Sequence, residues 1–251
     1  MRKYIFVTLL MVCSVVAMAQ TDAQLWNSAN DAYSMGQYES AYNDYKSIEQ
    51  GGMHSYKLYY NMGNACYKMG RMGEAILCYE KALKLNPAGE DAQINLQIAR
   101  LQTLDKIDVV PEFILKTWVK DIRNAFSSNG WAYITIALLA VAALLMLLFK
   151  FAPTTGKRKF SFVLACVVFL FAIISVLFAV NLRRNANRDD SAIVMVPVSN
   201  IKSAPNATGN NLFILHEGSK VEILEEAGQW CRIEISDGRQ GWMHKSDVEV
   251  I

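Results

Sequence analysis

The chain has 251 residues, of which 53% are hydrophobic, and its 25 basic and 23 acidic side chains leave a formal net charge of +2. This near balance lacks the basic excess of a nucleic-acid-binding domain. The three histidines are scattered and no glycine-rich stretch has the Lys-Ser/Thr sequel of a phosphate loop, so neither a catalytic triad, a histidine metal site nor a nucleotide site is indicated. We therefore expect no enzyme, no cofactor and no metal.

The N-terminus has the pattern of a secretory signal peptide. Two basic residues precede an apolar run over residues 4–16, and Ala17 and Ala19 form a small-x-small cleavage site. Lipoprotein processing at Cys13 is disfavoured because a bulky residue precedes it inside the apolar run. Residues 1–19 are therefore predicted to be removed on export.

Most of the soluble N-terminal half repeats with a period of 34 residues. Within nineteen positions, Asn27, Asn30, Tyr33, Met35, Gly36, Ala41 and Tyr45 recur as Asn61, Asn64, Tyr67, Met69, Gly70, Ala75 and Tyr79. This period is typical of stacked helix–turn–helix units, which bury their apolar faces against one another. Residues 59–87 closely resemble the tetratricopeptide repeat. We predict two repeats and a capping helix over residues 20–104.

The resemblance implies a concave groove lined by the first helix of each repeat. Its predicted lining is Trp26, Asn30, Tyr33, Lys57, Tyr60, Asn64, Tyr67 and Lys68. Aromatic rings supply buried area at low entropic cost, and amides can pair with the backbone of an extended peptide. The groove therefore predicts a protein partner. The alternative is that the rings pack against the chain's own linker, near residues 107–113.

The kind of peptide follows from the same resemblance. Tetratricopeptide domains that clamp a C-terminal carboxylate use asparagines at the positions of Asn30 and Asn61, together with basic residues. In this chain Trp26, Asp91 and Asn95 occupy the places of those basic residues. We therefore expect an internal segment of the partner and not a free carboxylate.

Two cysteines lie on the two helices of the second repeat. A disulfide between Cys66 and Cys78 is geometrically conceivable in an oxidising compartment. However, Cys66 corresponds to Ala32 at the 34-residue shift, which favours a small packing site. A thiol oxidoreductase is a third class of function, and it requires one of these thiols to be reactive in the folded protein.

Residues 105–128 join the repeats to the first long apolar stretch and form an amphipathic segment. Ile114, Trp118 and Ile122 recur at four-residue spacing, whereas basic residues lie on the other flank. A basic amphipathic helix with a tryptophan suits the surface of a membrane. The alternative is a helix packed on the repeats.

Two apolar stretches, residues 129–149 and 160–182, are long enough to cross a bilayer. The connecting residues 150–159 carry four basic and no acidic side chains, which favours a cytoplasmic loop. Three arginines after the second stretch argue the other way, but export of the N-terminus decides between them. We predict a two-pass inner-membrane protein with both soluble modules in the periplasm.

The C-terminal part, residues 192–251, alternates apolar and polar residues in short runs that predict strands. Asp237 and Gly238 between two such runs form a strong hairpin signal. The order of Trp230, Gly241 and Trp242 resembles a bacterial SH3 domain, a class that often binds peptidoglycan or peptides. Trp230 is expected to pack inside the domain, and Trp242 is a candidate for its ligand face.

The predicted fold class is a multi-domain membrane protein with an all-α tetratricopeptide array, two transmembrane helices and a C-terminal all-β SH3-like barrel. This architecture resembles the BatE family of the Bacteroides aerotolerance operon over nearly the whole chain. The resemblance implies a membrane assembly with Bat proteins that contain von Willebrand A-type domains, working alongside a MoxR-type AAA+ ATPase. We therefore predict a non-enzymatic adaptor of that assembly. The alternative is an envelope protein whose SH3-like domain binds peptidoglycan while the repeats act as a spacer.

Overall fold

The computed structural model describes residues 23–107 and 113–251. The predicted signal peptide lies outside these residues. The contacts of the described residues divide the chain into two compact units: residues 23–82, 90–107 and 190–251 make the first, whereas residues 83–89 and 113–189 make the second. The helical repeats thus share one unit with the C-terminal sheet, although about eighty residues of the other unit separate them in the sequence.

Five helices form the N-terminal array. They are α1 (residues 23–34), α2 (Tyr38–Gln50), α3 (Tyr56–Lys68), α4 (Met72–Leu85) and α5 (Glu90–Leu101). The turns between α1 and α2 and between α3 and α4 contain Gly36 and Gly70, with φ of 78° and 77°. Only glycine adopts this left-handed conformation without a steric penalty, which accounts for its recurrence at the 34-residue period.

Small residues allow the paired helices to approach closely. Ala29, Ala41 and Ala75 are fully buried. At Gly63 a Cβ atom would lie 2.6 Å from Cε1 of Tyr79, so the tyrosine ring rests directly on the glycine. The helix pairs of the array therefore depend on small residues in each of α1 to α4 and on a large ring from α4.

The C-terminal domain is a seven-stranded antiparallel sheet. Its strands are β1 (Ser191–Val194), β2 (Val198–Lys202), β3 (Asn211–His216), β4 (Lys220–Ala227), β5 (Trp230–Glu234), β6 (Gln240–His244) and β7 (Val248–Val250), in the order β3-β2-β6-β5-β4-β1-β7. Ile201, Leu215, Ile233 and Met243 fill its core. As predicted, Gly238 closes the β5–β6 hairpin, with its N–H donating to Ile235 O at 2.8 Å.

The turn between β3 and β4, residues 216–219, packs against the helical array. Glu217 Oε1 accepts a hydrogen bond from the N–H of Gly73, at the start of α4, at 3.0 Å. The turn thereby caps an amide that has no partner within its own helix. Gly218 approaches so closely that a Cβ atom would lie 2.7 Å from Cγ2 of Thr103 and 2.9 Å from Cδ1 of Ile76.

The segment after α5 is bound to the same turn. Both carboxylate oxygens of Asp105 are engaged: Oδ2 accepts from His216 N at 2.7 Å and from Ser219 Oγ at 2.5 Å, and Oδ1 lies 2.7 Å from His216 Nδ1. Ile107 packs against the core of the sheet. These residues were predicted to begin the amphipathic linker, but they belong to the contact between the repeats and the sheet.

Charged pairs extend this contact. Buried Glu80 of α4 bridges Arg100 of α5 and Lys220 of β4, whose Nζ lies 2.8 Å from Glu80 Oε2. Lys81 Nζ lies 3.1 Å from Oε1 of Glu249. A buried carboxylate between two cations is compensated where it would otherwise be unfavourable. The array and the sheet therefore form one body.

The second unit contains α6 (Ile114–Asn124), α7 (Ser128–Phe151) and α8 (Thr155–Ala186). The last two are long and apolar enough to cross a membrane and are longer than the predicted spans, and most of their side chains are exposed. The predicted ten-residue loop is shorter in the structure, because Lys157, Arg158 and Lys159 lie in the first turns of α8.

Small and polar residues hold α7 and α8 together. Thr135 Oγ1 donates to Ser175 Oγ at 2.9 Å, and both hydroxyl groups lie 2.9 Å from the carbonyl oxygen of Trp131. Ala142, Ala165 and Ser175 are among the buried residues of the pair. This arrangement is typical of membrane helices, where small residues permit close packing and hydroxyl groups bond across the interface.

Candidate partner-binding groove

A cavity of about 280 Å³ opens on one face of the helical array. It is lined by Tyr33, Tyr60, Asn64, Tyr67, Lys68, Tyr79, Asn95 and Ile98. Five of these eight residues were predicted to line a groove, and the structure brings them together from α1 and α3. Four aromatic rings, two amides, one alkyl chain and one cation therefore face the same space.

The remaining three predicted residues lie elsewhere. Trp26 is half-buried and packs edge-on against Tyr45, with ring centroids 5.6 Å apart. Asn30 Oδ1 accepts a hydrogen bond from Tyr45 Oη at 2.7 Å. Lys57 is exposed near the start of α3 and does not line the cavity. The cavity is thus centred on the second repeat and α5.

The asparagines of the array form a repeated structural network. In the second repeat, Tyr79 Oη donates to Asn64 Oδ1 at 2.8 Å, and Asn95 Nδ2 donates to the same oxygen at 2.9 Å. In the first repeat, Asn30 Oδ1 receives the equivalent bond from Tyr45, and Asn61 Nδ2 lies 3.3 Å from the Tyr45 hydroxyl oxygen. The amide oxygens expected to face a peptide therefore already hold adjacent helices together.

The amide oxygens of Asn30 and Asn64 are engaged because the tyrosines that donate to them are buried. Tyr45 and Tyr79 are each 1% exposed, and a buried hydroxyl group needs a partner. Burial also raises the pKa of the Tyr79 hydroxyl group, which keeps it a hydrogen-bond donor. The half-buried rings of Tyr33, Tyr60 and Tyr67 and the exposed Lys68, more than the amide oxygens, are consequently the groups of the groove that are available to a ligand.

Tyr79, Asn95 and Ile98 line the cavity but were absent from the predicted set. The first two carry a detectable signal, because Tyr79 repeats Tyr45 and Asn95 repeats Asn61 at the 34-residue period. Ile98 belongs to α5, and no residue of the same type precedes it at the 34-residue spacing. Gln102, at the end of this helix, donates to the Tyr67 hydroxyl oxygen at 2.7 Å. The capping helix is thus one wall of the groove.

The described part of the linker does not fill the groove. Asp105 is held by the β3–β4 turn and Ile107 packs on the sheet core. The alternative in which residues near Ile107 cover the aromatic rings is therefore not supported by the residues that the structure describes. Residues 108–112 lie outside them.

Lys68 gives the groove a positive edge. Among the described residues it forms no ion pair, in contrast to the nearby Arg71, which is bound to Glu74 at 2.6 Å. A peptide with an acidic side chain would neutralise Lys68 without breaking an existing pair. The groove is complementary to an aromatic or aliphatic segment that carries an acidic residue.

The outer face of the sheet carries a second candidate surface around Trp242. Trp242 is half-buried and lies opposite Arg232 and Lys202 in the strand register. Trp230 packs against His244 with ring centroids 4.7 Å apart. Aromatic rings beside cations can contact either a peptide or a carbohydrate that carries carboxylates.

The surroundings of the cysteine thiols and of Ser219 do not activate these groups as nucleophiles. Cys66 and Cys78 are buried free thiols. A hydrogen bond with Cys78, together with burial, raises the pKa of the Cys66 thiol, which disfavours the reactive thiolate. Ser219 donates to the carboxylate of Asp105 and not to an imidazole, which is unlike the arrangement of a nucleophile and its base.

Comparison with known proteins supports two modules. A tetratricopeptide repeat family matches residues 56–88, and a bacterial SH3 domain family matches residues 197–249. Among solved structures the chain is similar to the Arabidopsis OM64 TPR domain, with 15% identity and a TM-score of 0.31 over 58% of this chain and 94% of that one. No curated protein matches the chain. Neither matched family is an enzyme family, and the tetratricopeptide fold is typically a non-catalytic interaction scaffold.

Proposed function

We propose that the protein is a membrane-anchored, non-enzymatic adaptor whose repeat groove binds an extended segment of a partner protein. The observation that carries this proposal is the cavity with four tyrosines and, at its edge, a lysine that forms no ion pair with any described residue, on a chain with two apolar helices. Tyrosine rings bury large areas with little loss of conformational entropy and recur at the centres of binding sites.

The bound segment is internal to the partner and carries an acidic side chain. A free carboxylate would need the amide groups of Asn30 and Asn61 as donors, but Nδ2 of Asn61 already donates to the Tyr45 hydroxyl oxygen at 3.3 Å. Among the described residues of the lining, Lys68 is the one that carries a charge, which matches one acidic residue better than a chain terminus held by several cations.

The membrane arrangement that fits the structure has both soluble modules on the same side. Asp105 precedes α7 and His216 follows α8, and their hydrogen bonds at 2.7 Å support an arrangement in which the chain leaves and re-enters the same compartment. The basic residues 150 and 157–159 lie at the connection between α7 and α8, which favours a cytoplasmic connection. We infer a two-pass inner-membrane protein with the repeats and the sheet in the periplasm.

The partners that we propose are the other Bat-type proteins of the inner membrane. The combination of repeats, membrane hairpin and SH3-like sheet supports membership of that assembly. Its components with von Willebrand A-type domains would supply the bound segment, and a MoxR-type ATPase would act with the assembly. A scaffold of this kind needs a surface and an anchor but no catalytic group.

Replacing Tyr33 and Tyr67 together by alanine should abolish recovery of the partner from detergent-solubilised membranes. Two aromatic contacts at the centre of a groove are expected to contribute about 2 kcal/mol or more to binding. Affinity purification followed by mass spectrometry measures the loss. Met35→Ala is the matched control, because this side chain is 71% exposed and lies outside the cavity. Unchanged recovery with the double variant would eliminate the groove as the partner site.

Labelling of single cysteines tests the membrane arrangement. Thr155 and Asn210 are both exposed, the first at the start of α8 and the second before β3. In a background without other accessible thiols, Asn210→Cys should react with a membrane-impermeant reagent in intact spheroplasts, whereas Thr155→Cys should react only after permeabilisation. Labelling in the reverse order would contradict the proposed topology.

Peptidoglycan binding is the second candidate function, favoured by the aromatic and basic face around Trp242. If this face binds the cell wall, the purified chain in detergent should pellet with isolated sacculi, and Trp242→Ala should abolish pelleting. If the chain stays in the supernatant, the adaptor proposal is favoured over the spacer alternative.

A further inference from the structure

Helix α6 carries a continuous apolar stripe that no described residue covers. Ile114, Leu115, Trp118, Val119 and Ile122 are between 54% and 60% exposed. With 3.6 residues per turn they fall within an arc of about 140° on one side of the helix. Five large apolar side chains on one exposed face are unusual for a helix in water.

The burial of α6 is the reverse of that in a soluble protein. None of its residues is buried, and the half-buried ones are the polar residues Thr117, Arg123 and Asn124. A helix that packs on a soluble core buries its apolar stripe and exposes its polar side. This reversed arrangement is expected where the surroundings of the apolar stripe are lipid.

The end of α6 is fixed to the start of the membrane hairpin. Trp131 Nε1 of α7 donates to the carbonyl oxygen of Arg123 at 2.8 Å, and the Arg123 guanidinium donates to Asn181 Oδ1 of α8, also at 2.8 Å. The Trp131 ring packs against Phe126 and Phe178 at centroid distances of 5.4 and 5.1 Å. Aromatic clusters of this kind mark the boundary between hydrocarbon and headgroups.

Charge is arranged along one edge of the stripe. Lys116, Lys120 and Arg123 follow next to Val119 around the helix and form a basic flank, whereas α6 contains a single acidic residue, Asp121. Anionic headgroups attract basic side chains beside an apolar face, by about 1 kcal/mol for each residue near the surface.

We propose that α6 lies in the plane of the membrane, as a surface helix whose apolar stripe enters the acyl boundary and whose basic flank binds anionic headgroups. The chain continues from α6 into α7 within three residues, so the stripe lies beside the lipid that surrounds α7. This adds a third, non-spanning membrane contact to the two crossing helices. It also places residues 113–124 along the membrane surface, directly before the chain enters the bilayer at α7.

Two adjacent positions, one in the apolar stripe and one in the basic flank of α6, provide the main test. The full chain, with its native cysteines replaced, is reconstituted in nanodiscs that contain anionic lipid. An environment-sensitive fluorophore is attached to Val119→Cys in the stripe or to Lys120→Cys in the basic flank. The label at 119 should emit at shorter wavelength and lose intensity in lipids with brominated acyl chains, and the label at 120 should do neither.

A second measurement avoids the cysteine background. In the otherwise unchanged chain, Trp118→Phe keeps the stripe apolar and removes one tryptophan. If Trp118 lies in lipid, the fraction of tryptophan emission quenched by brominated chains falls in the variant. If Trp118 faces water, that fraction rises, and the proposal is overturned.

Two further outcomes decide whether lipid or protein shields the label at position 119 from water. Emission at short wavelength from position 119 without quenching by brominated lipid would mean that protein covers the stripe, which overturns the proposal. Equal responses at 119 and 120 would do the same. Replacing the three basic residues by glutamine should remove the difference in emission between anionic and zwitterionic nanodiscs, and persistence of that difference would overturn the headgroup contact.

Discussion

Replacing Gly218 by alanine should detach the β3–β4 turn from the helical array. The new Cβ atom would lie 2.7 Å from Thr103 Cγ2 and 2.9 Å from Ile76 Cδ1, and the residue has a φ of +88° that disfavours a side chain. Backbone strain and overpacking together should lower the free energy of unfolding of this unit by about 3 kcal/mol. Hydrogen exchange of the full chain in nanodiscs measures the change at the amides of Gly73 and of residues 216–219.

Gly238→Ala is a matched control that measures the effect of backbone strain alone on the free energy of unfolding. Gly238 also lies in a β-hairpin turn, with a φ of +87°, but nothing lies within 4 Å of a Cβ atom built there. Its substitution should lower the free energy of unfolding by only about 1 kcal/mol, from backbone strain alone. Equal effects at the two glycines would show that the close approach of Gly218 contributes nothing.

Asp105→Ala should lower the free energy of unfolding of the same unit by about 3 kcal/mol, because it leaves three partly buried donors without an acceptor. The lost bonds are those from His216 N, His216 Nδ1 and Ser219 Oγ. Exchange should accelerate at the amides of residues 216–219, and protease cleavage after Lys106 should increase. Asp237→Ala is a suitable control, because this carboxylate is bonded locally to Arg239 on the exposed hairpin. No acceleration in the Asp105 variant would contradict the assigned role.

The pH dependence of this contact follows from the pKa of Asp105. Burial alone would raise the pKa, but hydrogen bonds from Ser219 and His216 outweigh it and lower the pKa below 3.8. Since the folded state binds the proton less tightly than the unfolded state, the contribution is present above pH 3.8 and is lost as the pH falls through the folded pKa. The Asp105 variant should lack this part of the acid-induced loss of stability.

The elements that could be predicted from the sequence are those with a repeated or local residue pattern. Gly36 and Gly70 recur at 34 residues because each repeat needs the same left-handed turn. Gly238 after an aspartate predicted a hairpin for the same kind of reason. The two long helices were predictable because uninterrupted apolar stretches match the thickness of a bilayer.

The candidate groove was only partly predictable. Tyr33, Tyr60 and Tyr67 follow from the repeat resemblance, since that resemblance assigns the first helix of each unit to the concave face. Which groups remain available was decided by packing. The buried hydroxyl groups of Tyr45 and Tyr79 take up the amide oxygens, and a sequence pattern contains no information about which hydrogen bonds form first inside a core.

By itself, the sequence determined the repeats, the two apolar helices and the strands, because each depends on residues close together in the chain. Only the tertiary structure decided that the sheet joins the repeats in one body. Asp105 and His216 are 111 residues apart, and Gly73 and Glu217 are 144 apart. Contacts over such separations follow no period, so they become apparent only when the folded chain brings a turn and a helix end together.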